Sequence, residues 1–306
     1  MTTDEMRYLV TIARHRNVGR AADALGLTQP ALTRAIARME TVAGQRLFAR
    51  HPRGVEPTPA GQVFVQRALQ MLVTYDDTLR ELQLMKAGQL GQLRVGCSPS
   101  IDKDLLAAAT RRLVQERPAA QLLLMERLTP ELLRRVEQGE LDLAVAPLQS
   151  ALPASLAATP LHISRLHVVS CMNHPLQQQG TLSLAQVQAE PWMVSAGPLR
   201  HEIDALLARA GLAPLNVRVE ADSLTHLQFQ LLRGTRLLGI CSDWTLRAVR
   251  DMGLRRLEVR GLDLQRQMAV VQRHEAFMPP LAERLTALLH EEVQRLDASP
   301  AEPQRA

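Results

Sequence analysis

Residues 16–61, RNVGRAADALGLTQPALTRAIARMETVAGQRLFARHPRGVEPTPAG, constrain the fold more than any other part of the chain. Ahead of them, Met6, Leu9, Val10 and Ala13 recur at the spacing of one helix face. Asn17 then stands at an N-cap position before Val18, Ala21, Ala22 and Leu25, which repeat that spacing. Gly26 can take the left-handed conformation that stops a helix. Thr28 caps the next helix, and Pro30 in its first turn costs no intrahelical hydrogen bond. Leu32, Ala35, Ile36 and Met39 form the core stripe of that helix. A tight helix pair of this kind, followed by the hairpin pattern of Gln45–Glu56 around Pro-Arg-Gly, predicts a winged helix-turn-helix.

The polar arc of the second helix suits the major groove of DNA. Gln29 can pair with adenine edges, Arg34 with guanine or phosphate, and Thr33 with either, while Pro30 and Ala31 are small enough for close approach. Thr28 lies at the end that enters the groove, Arg38 lies at the edge of the arc, and Arg20 comes from the preceding helix. Arg50, His51 and Arg53 sit near the tip of the wing, where contact with phosphates or the minor groove is expected. Charge agrees with this assignment. Residues 1–57 hold nine arginines against five acidic residues, so most of the chain's net charge of +5 falls in less than a fifth of its length.

From Thr58-Pro59 to Ala87 nothing interrupts a helix, giving a rod of roughly 45 Å. Phe64, Ala68, Met71, Tyr75, Thr78, Leu82 and Met85 follow a heptad seam. By spacing alone the seam fits either a dimerising helix or one packed on its own domain. Gly88 and Gly91 end the rod as a hinge.

Beyond it, strands and helices alternate. Strands are expected at Leu93–Cys97, Gln121–Met125, Leu141–Ala146, Leu166–Cys171, Trp192–Ser195, Asn216–Glu220, Leu237–Cys241 and Gln265–Arg273. The helices between them make this an α/β region with a parallel sheet, and the pattern restarts near residue 164. Two similar lobes follow: about 89–163 with 268–296, and about 164–267. Residues 297–306 read as a disordered tail.

Ligands of such lobes bind beyond the carboxyl ends of strands, often at helix N-termini. The candidate effector-binding residues are therefore Ser98, Pro99 and Ser100, then Leu128 and Thr129, then Gly197, Pro198, Leu199, Arg200 and His201, and finally Ser223 and Thr225. Arg200 or His201 can pair with a carboxylate, while the Ser and Thr hydroxyls are equally suited to capping helices.

Other function classes lack their residues. There is no GxSxG, GxxxxGK or HExxH, so no catalytic residues and no metal or cofactor site are expected. His162, His167 and His174 do not have ligand spacing, and Cys97, Cys171 and Cys241 read as reduced core thiols. The first residues lack the order of a signal peptide and no long apolar run exists, so a cytoplasmic location is expected.

The same segments carry a family resemblance. Ala21-Ala22, Leu25, Gln29-Pro30-Ala31-Leu32-Thr33, Ile36, Met39-Glu40, Gly44, Leu47-Phe48, Arg50 and Thr58-Pro59-Ala60-Gly61 resemble the N-terminal winged helix-turn-helix of LysR-type transcriptional regulators. Gly91-x-Leu93-Arg94-Val95-Gly96 and Gly139-Glu140-Leu141-Asp142 resemble the family's effector domain, whereas RGTRLLGICSDW departs from its usual pattern. Ala35 stands where the family often has a polar residue, which implies one altered contact with DNA.

The resemblance implies a DNA-binding domain at 1–58, a dimerising linker helix at 59–88 and a bilobal, periplasmic-binding-protein-like effector domain at 89–296. It also implies promoter DNA, a small effector, self-association as dimer and tetramer, and RNA polymerase as partners, with no membrane; the cleft residues themselves point to a carboxylate-bearing effector.

Overall fold

The computed structural model describes residues 2–52, 54–87, 91–148, 152–195, 198–221, 225–274 and 278–298. Arg53, Gly88, Gly197 and Ser223, along with 299–306 of the expected tail, lie outside the described residues. The chain divides into two compact units, Met1–Gly88 and Gln89–Ala306.

The first unit runs α1 (Thr3–His15), α2 (Val18–Leu25), α3 (Gln29–Ala43), β1 (Phe48–His51), β2 (Gly54–Pro57) and α4 (Pro59–Ala87). Its caps satisfy the amides that helix starts leave free. Asn17 accepts from the Arg20 N–H at 3.0 Å, Thr28 from the Ala31 N–H at 3.4 Å, and Thr58 from the Gly61 N–H at 3.0 Å. Thr2 and Glu5 form a reciprocal capping box on α1. Gly26 closes α2 at φ 66° and Gly44 closes α3 at φ 68°. Leu9, Ile12, Ala21, Leu32, Ile36, Met39, Leu47 and Val55 make one core. The buried face of α1 is centred on Leu9 and Ile12, so it is rotated slightly from the expected Met6–Leu9–Val10–Ala13 stripe.

The second unit begins with β3 (Gln92–Cys97), α5 (Lys103–Glu116), β4 (Gln121–Glu126), α6 (Thr129–Glu137), β5 (Leu143–Leu148) and β6 (Leu156–Cys171). It continues through α7 (Leu184–Ala189), β7 (Pro191–Val194), α8 (Pro198–Arg209), β8 (Asn216–Glu220), α9 (Thr225–Arg233), β9 (Gly239–Ser242), α10 (Asp243–Ala248), β10 (Leu254–Leu257), β11 (Leu264–Arg273) and α11 (Pro280–Ala298). α11 thus includes Asp297 and Ala298, which the sequence reading placed in the tail.

The sheet is not wholly parallel. β4, β3 and β5 pair in parallel, as do β7 and β8, but β11 and β6 are antiparallel to their neighbours. The sheet order is β10-β6-β11-β5-β3-β4, with β9 also on β6. β6 is much longer than the expected Leu166–Cys171, and with β11 it carries the chain between the lobes. The first lobe packs around Leu93, Leu105, Leu143, Leu285 and Leu288. The second packs around Leu166, Trp192, Ile203, Leu238 and Leu257.

Candidate DNA interface and effector cleft

α3 divides cleanly between core and solvent. Leu32, Ala35, Ile36 and Met39 are buried, while Gln29, Pro30, Arg34, Ala37 and Arg38 are exposed and Ala31 and Thr33 are half-buried. Ala35 is 2% exposed, so it sits in the core and not on the polar arc. The altered DNA contact implied for it is therefore corrected. Arg38 pairs with Glu5 of α1 at 3.4 Å, whereas Arg20, Arg34, Arg50 and His51 are exposed and make no side-chain hydrogen bond or ion pair among the described residues. Thr28 spends an acceptor on its cap.

The wing is fixed to α3 by one carboxylate. Glu40 accepts from the Leu47 N–H at 2.8 Å and the Phe48 N–H at 3.2 Å, just before β1 leaves the helix. At the other strand Gly54 has φ 137°, and a Cβ there would stand 2.2 Å from the Arg16 carbonyl oxygen. This close approach lets the Val55 N–H reach the same oxygen at 2.9 Å.

On α4 the expected seam is split. Ala68, Leu72 and Val73 are buried within the first unit. Met71, Tyr75 and Leu82 remain 55%, 44% and 56% exposed, with Leu79 beside them. The early seam residues thus pack on their own unit, while later ones form an exposed apolar stripe; the Met85 side chain lies outside the described residues.

In the second unit, strand register brings the candidate loops together within each lobe. Cys97 lies beside Glu126 and Val145, so the loops after β3 and β4 are neighbours, and the Arg127 N–H bonds to the Cys97 carbonyl at 3.1 Å. Ser98 is buried, its amide bonds to the Val145 carbonyl, and its hydroxyl meets that of Ser100 at 2.8 Å. Pro99, Leu128 and Thr129 are half-buried; Leu128 occupies the N-cap of α6 with no side-chain cap bond.

In the other lobe Val194 pairs with Glu220, which sets the ends of β7 and β8 side by side. Pro198 and Thr225 open α8 and α9 there, and Leu199 is half-buried against the lobe core. His201 is exposed. Arg200 bonds to Glu220 at 2.6 Å and lies 3.6 Å from Asp204. Its charge is already matched by the protein's own carboxylates, which argues against its expected role as partner of a ligand carboxylate.

Both sets of strand ends are aimed at one place. β5 ends at Leu148 opposite Gln267, and β9 ends at Ser242 opposite Leu166. The crossing strands between these points, residues 162–166 and 264–268, form the floor between the lobes. On that floor His162 stacks against Trp244 with ring centroids 4.1 Å apart. Sequence reasoning missed this pair, because it weighed His162 only as a metal ligand and identified no helix at α10.

The remaining chemistry-bearing residues are structural. His167 hydrogen-bonds Asp243, and that bond holds the Asp243 carboxyl below its usual range despite partial burial. His174 uses Nδ1 to accept the Leu176 N–H. Burial pushes the Cys97 thiol up to about 11 and the Cys241 thiol up to about 12, so neither is a thiolate at neutral pH.

Two family profiles together cover nearly the whole chain. Residues 3–62 match the bacterial regulatory helix-turn-helix protein of the lysR family, and residues 86–294 match the LysR substrate binding domain. The chain belongs to the LysR family. LysR proteins are transcriptional regulators that bind promoter DNA, respond to effectors and associate with themselves, and they are not enzymes.

Among relatives, the regulator YybE of Bacillus subtilis is 27% identical over 286 residues, spanning 92% of this chain and 96% of its own. A full-length OxyR variant from Pseudomonas aeruginosa shares the fold at a TM-score of 0.68 and 21% identity, covering 94% of each chain. CbnR, solved with its target DNA, gives 0.60 at 19% identity over 95% of this chain and 100% of that one. The winged head, long helix and bilobal α/β unit are thus the LysR architecture. Among the described residues, no helix is long and apolar enough to cross a membrane.

Proposed function

We propose that this LysR regulator reads a twofold-symmetric promoter site through α3 and is switched by a small, carboxylate-bearing effector in the cleft between its lobes. The observation that carries the DNA assignment is the exposed arc of Gln29, Pro30 and Arg34, whose polar side chains are unpaired among the described residues, as are those of Arg50 and His51 on the wing. Arg34 and Gln29 read base edges, Arg20 and Arg50 hold phosphates, and Arg38 joins them on leaving Glu5. The exposed α4 stripe pairs two chains, so that two α3 helices enter successive major grooves. Dimers associate further into tetramers, work in the cytoplasm and recruit RNA polymerase as the effector changes the lobes. No cofactor takes part.

A gel shift on the DNA upstream of the chain's own gene tests this. Arg34→Ala is expected to lower the preference for that DNA over random sequence by ~1–3 kcal/mol. Arg50→Ala should weaken binding to both DNAs alike and reduce the salt slope by about one. An Arg34→Ala protein with undiminished preference would remove α3 from the reading of bases.

A further inference from the structure

We infer that Arg266, on the crossing strand β11, is the residue that receives the anionic group of the effector, with Ser164 beside it on β6. The inference rests on the reading of the inter-lobe cleft as the effector site.

The alternation of β11 places it there. Leu264, Arg266, Met268 and Val270 share one face of the strand. Leu264 belongs to the core of the second lobe, and Met268 and Val270 belong to that of the first. Arg266 is the residue between, so it faces the gap that separates the two cores. Its cross-strand partner is Ser164, which is 9% exposed and shares that face with His162 and Leu166. Side chains directly opposite each other on antiparallel strands lie within about 5.5 Å at Cβ.

Neither polar group has a hydrogen-bond partner among the described residues. The Arg266 Nε–H is buried with no acceptor, and its guanidinium has no hydrogen bond or ion pair among the described residues. The Ser164 hydroxyl likewise has no hydrogen bond among them. Desolvation holds the Arg266 guanidinium below its usual value, and Glu202 near the start of α8 is the acid whose field counters this. Glu202 makes no ion pair with it among the described residues, so there only that longer-range field opposes the positive charge at the cleft floor.

A guanidinium whose Nε–H is buried with no acceptor and no close carboxylate among the described residues destabilises the fold unless something binds there. A carboxylate accepts two parallel N–H bonds from such a fork, which suits an organic acid better than a neutral molecule. This assignment takes the place of Arg200, whose charge Glu220 and Asp204 already hold.

The test uses the full-length protein and thermal melts with sodium acetate, lactate and phenylacetate, each compared with its amide. The acids should raise Tm at millimolar concentration, at least one of them at a tenfold lower concentration than its amide. Arg266→Met should abolish that preference and, without any ligand, should leave Tm unchanged or raise it by a few degrees.

A ligand-free Arg266→Met protein that melts several degrees lower would show a structural arginine and overturn the proposal. Acids that protect Arg266→Met as well as the parent, but fail on a Ser98→Ala, Ser100→Ala double variant, would overturn it while leaving the cleft reading intact. Amides that match their acids, or acids with no effect on the parent, would also overturn it. Protection that survives all of these cleft substitutions would remove the cleft reading itself.

Discussion

Gly61 shows how one residue can be required for space alone. Its position is helical and no left-handed φ is involved, yet a Cβ would stand 1.8 Å from the Leu47 carbonyl oxygen and 2.8 Å from its carbon. The backbone before β1 is held this close because the Thr58 N–H bonds to that oxygen at 2.9 Å and the Thr58 hydroxyl donates to the Arg46 carbonyl at 2.8 Å. Gly26 is the opposite case, with φ 66° and nothing within 4 Å of its missing Cβ. Gly61→Ala should therefore cost ~2–3 kcal/mol by overpacking, against about 1 kcal/mol for Gly26→Ala from the left-handed φ. Urea unfolding of residues 1–88 measures both, and Gly26→Ala proving the more damaging would refute the close approach. Thr58-Pro59 was legible as a helix start from residue types alone. The need for Gly61 was not, because it depends on the approach of the Leu47 carbonyl, fourteen residues back in sequence.

At the scale of elements, the helix α4 changes role along its length. Ala68, Leu72 and Val73 stabilise the head from within, whereas Met71, Tyr75, Leu79 and Leu82 face outward on successive turns. A charge placed on the outward stripe should weaken association without unfolding the chain. Tyr75→Glu with Leu82→Glu is expected to shift dimer to monomer by at least tenfold in Kd, read by sedimentation, with the melting of the second unit unaltered. An undiminished dimer would move the interface elsewhere.

The elements that sequence reasoning found were those with long periodicity or clear caps, such as α3 and α4. Of those it missed, three have plain physical reasons. The first half of β6 carries Pro160 and a bulge opposite Met268/Ala269, so its alternation is broken. α7 is only six residues long, although Ser183 and Gln186 spell its capping box. α10 is equally short and follows β9 directly, with Ser242 ending one and capping the other.

Across the whole molecule, the cleft depends on a register that local patterns cannot reveal. The rule that ligands bind beyond strand carboxyl ends located the loops, but Arg266 faces Ser164 only because β6 and β11 cross in this alignment. What the sequence did make legible at this scale is the separation of cores, and it leads to a direct measurement. Leu32 lies in the core of the first unit and Leu288 in that of the second lobe-bearing unit, and no residue is shared between those cores. Both tryptophans, Trp192 and Trp244, fall in the second unit, so their fluorescence reports that unit alone. Leu288→Ala removes a fully buried side chain and should cost ~2–5 kcal/mol there, lowering the fluorescence melt by several degrees. DNA binding at 25 °C should be kept, because the head retains its packing. Leu32→Ala should do the reverse, abolishing the gel shift while leaving the fluorescence melt in place. If each substitution moved both signals equally, the units would unfold as one cooperative body, and control of the head by the effector would have to pass through shared stability rather than through a change in the arrangement of the lobes.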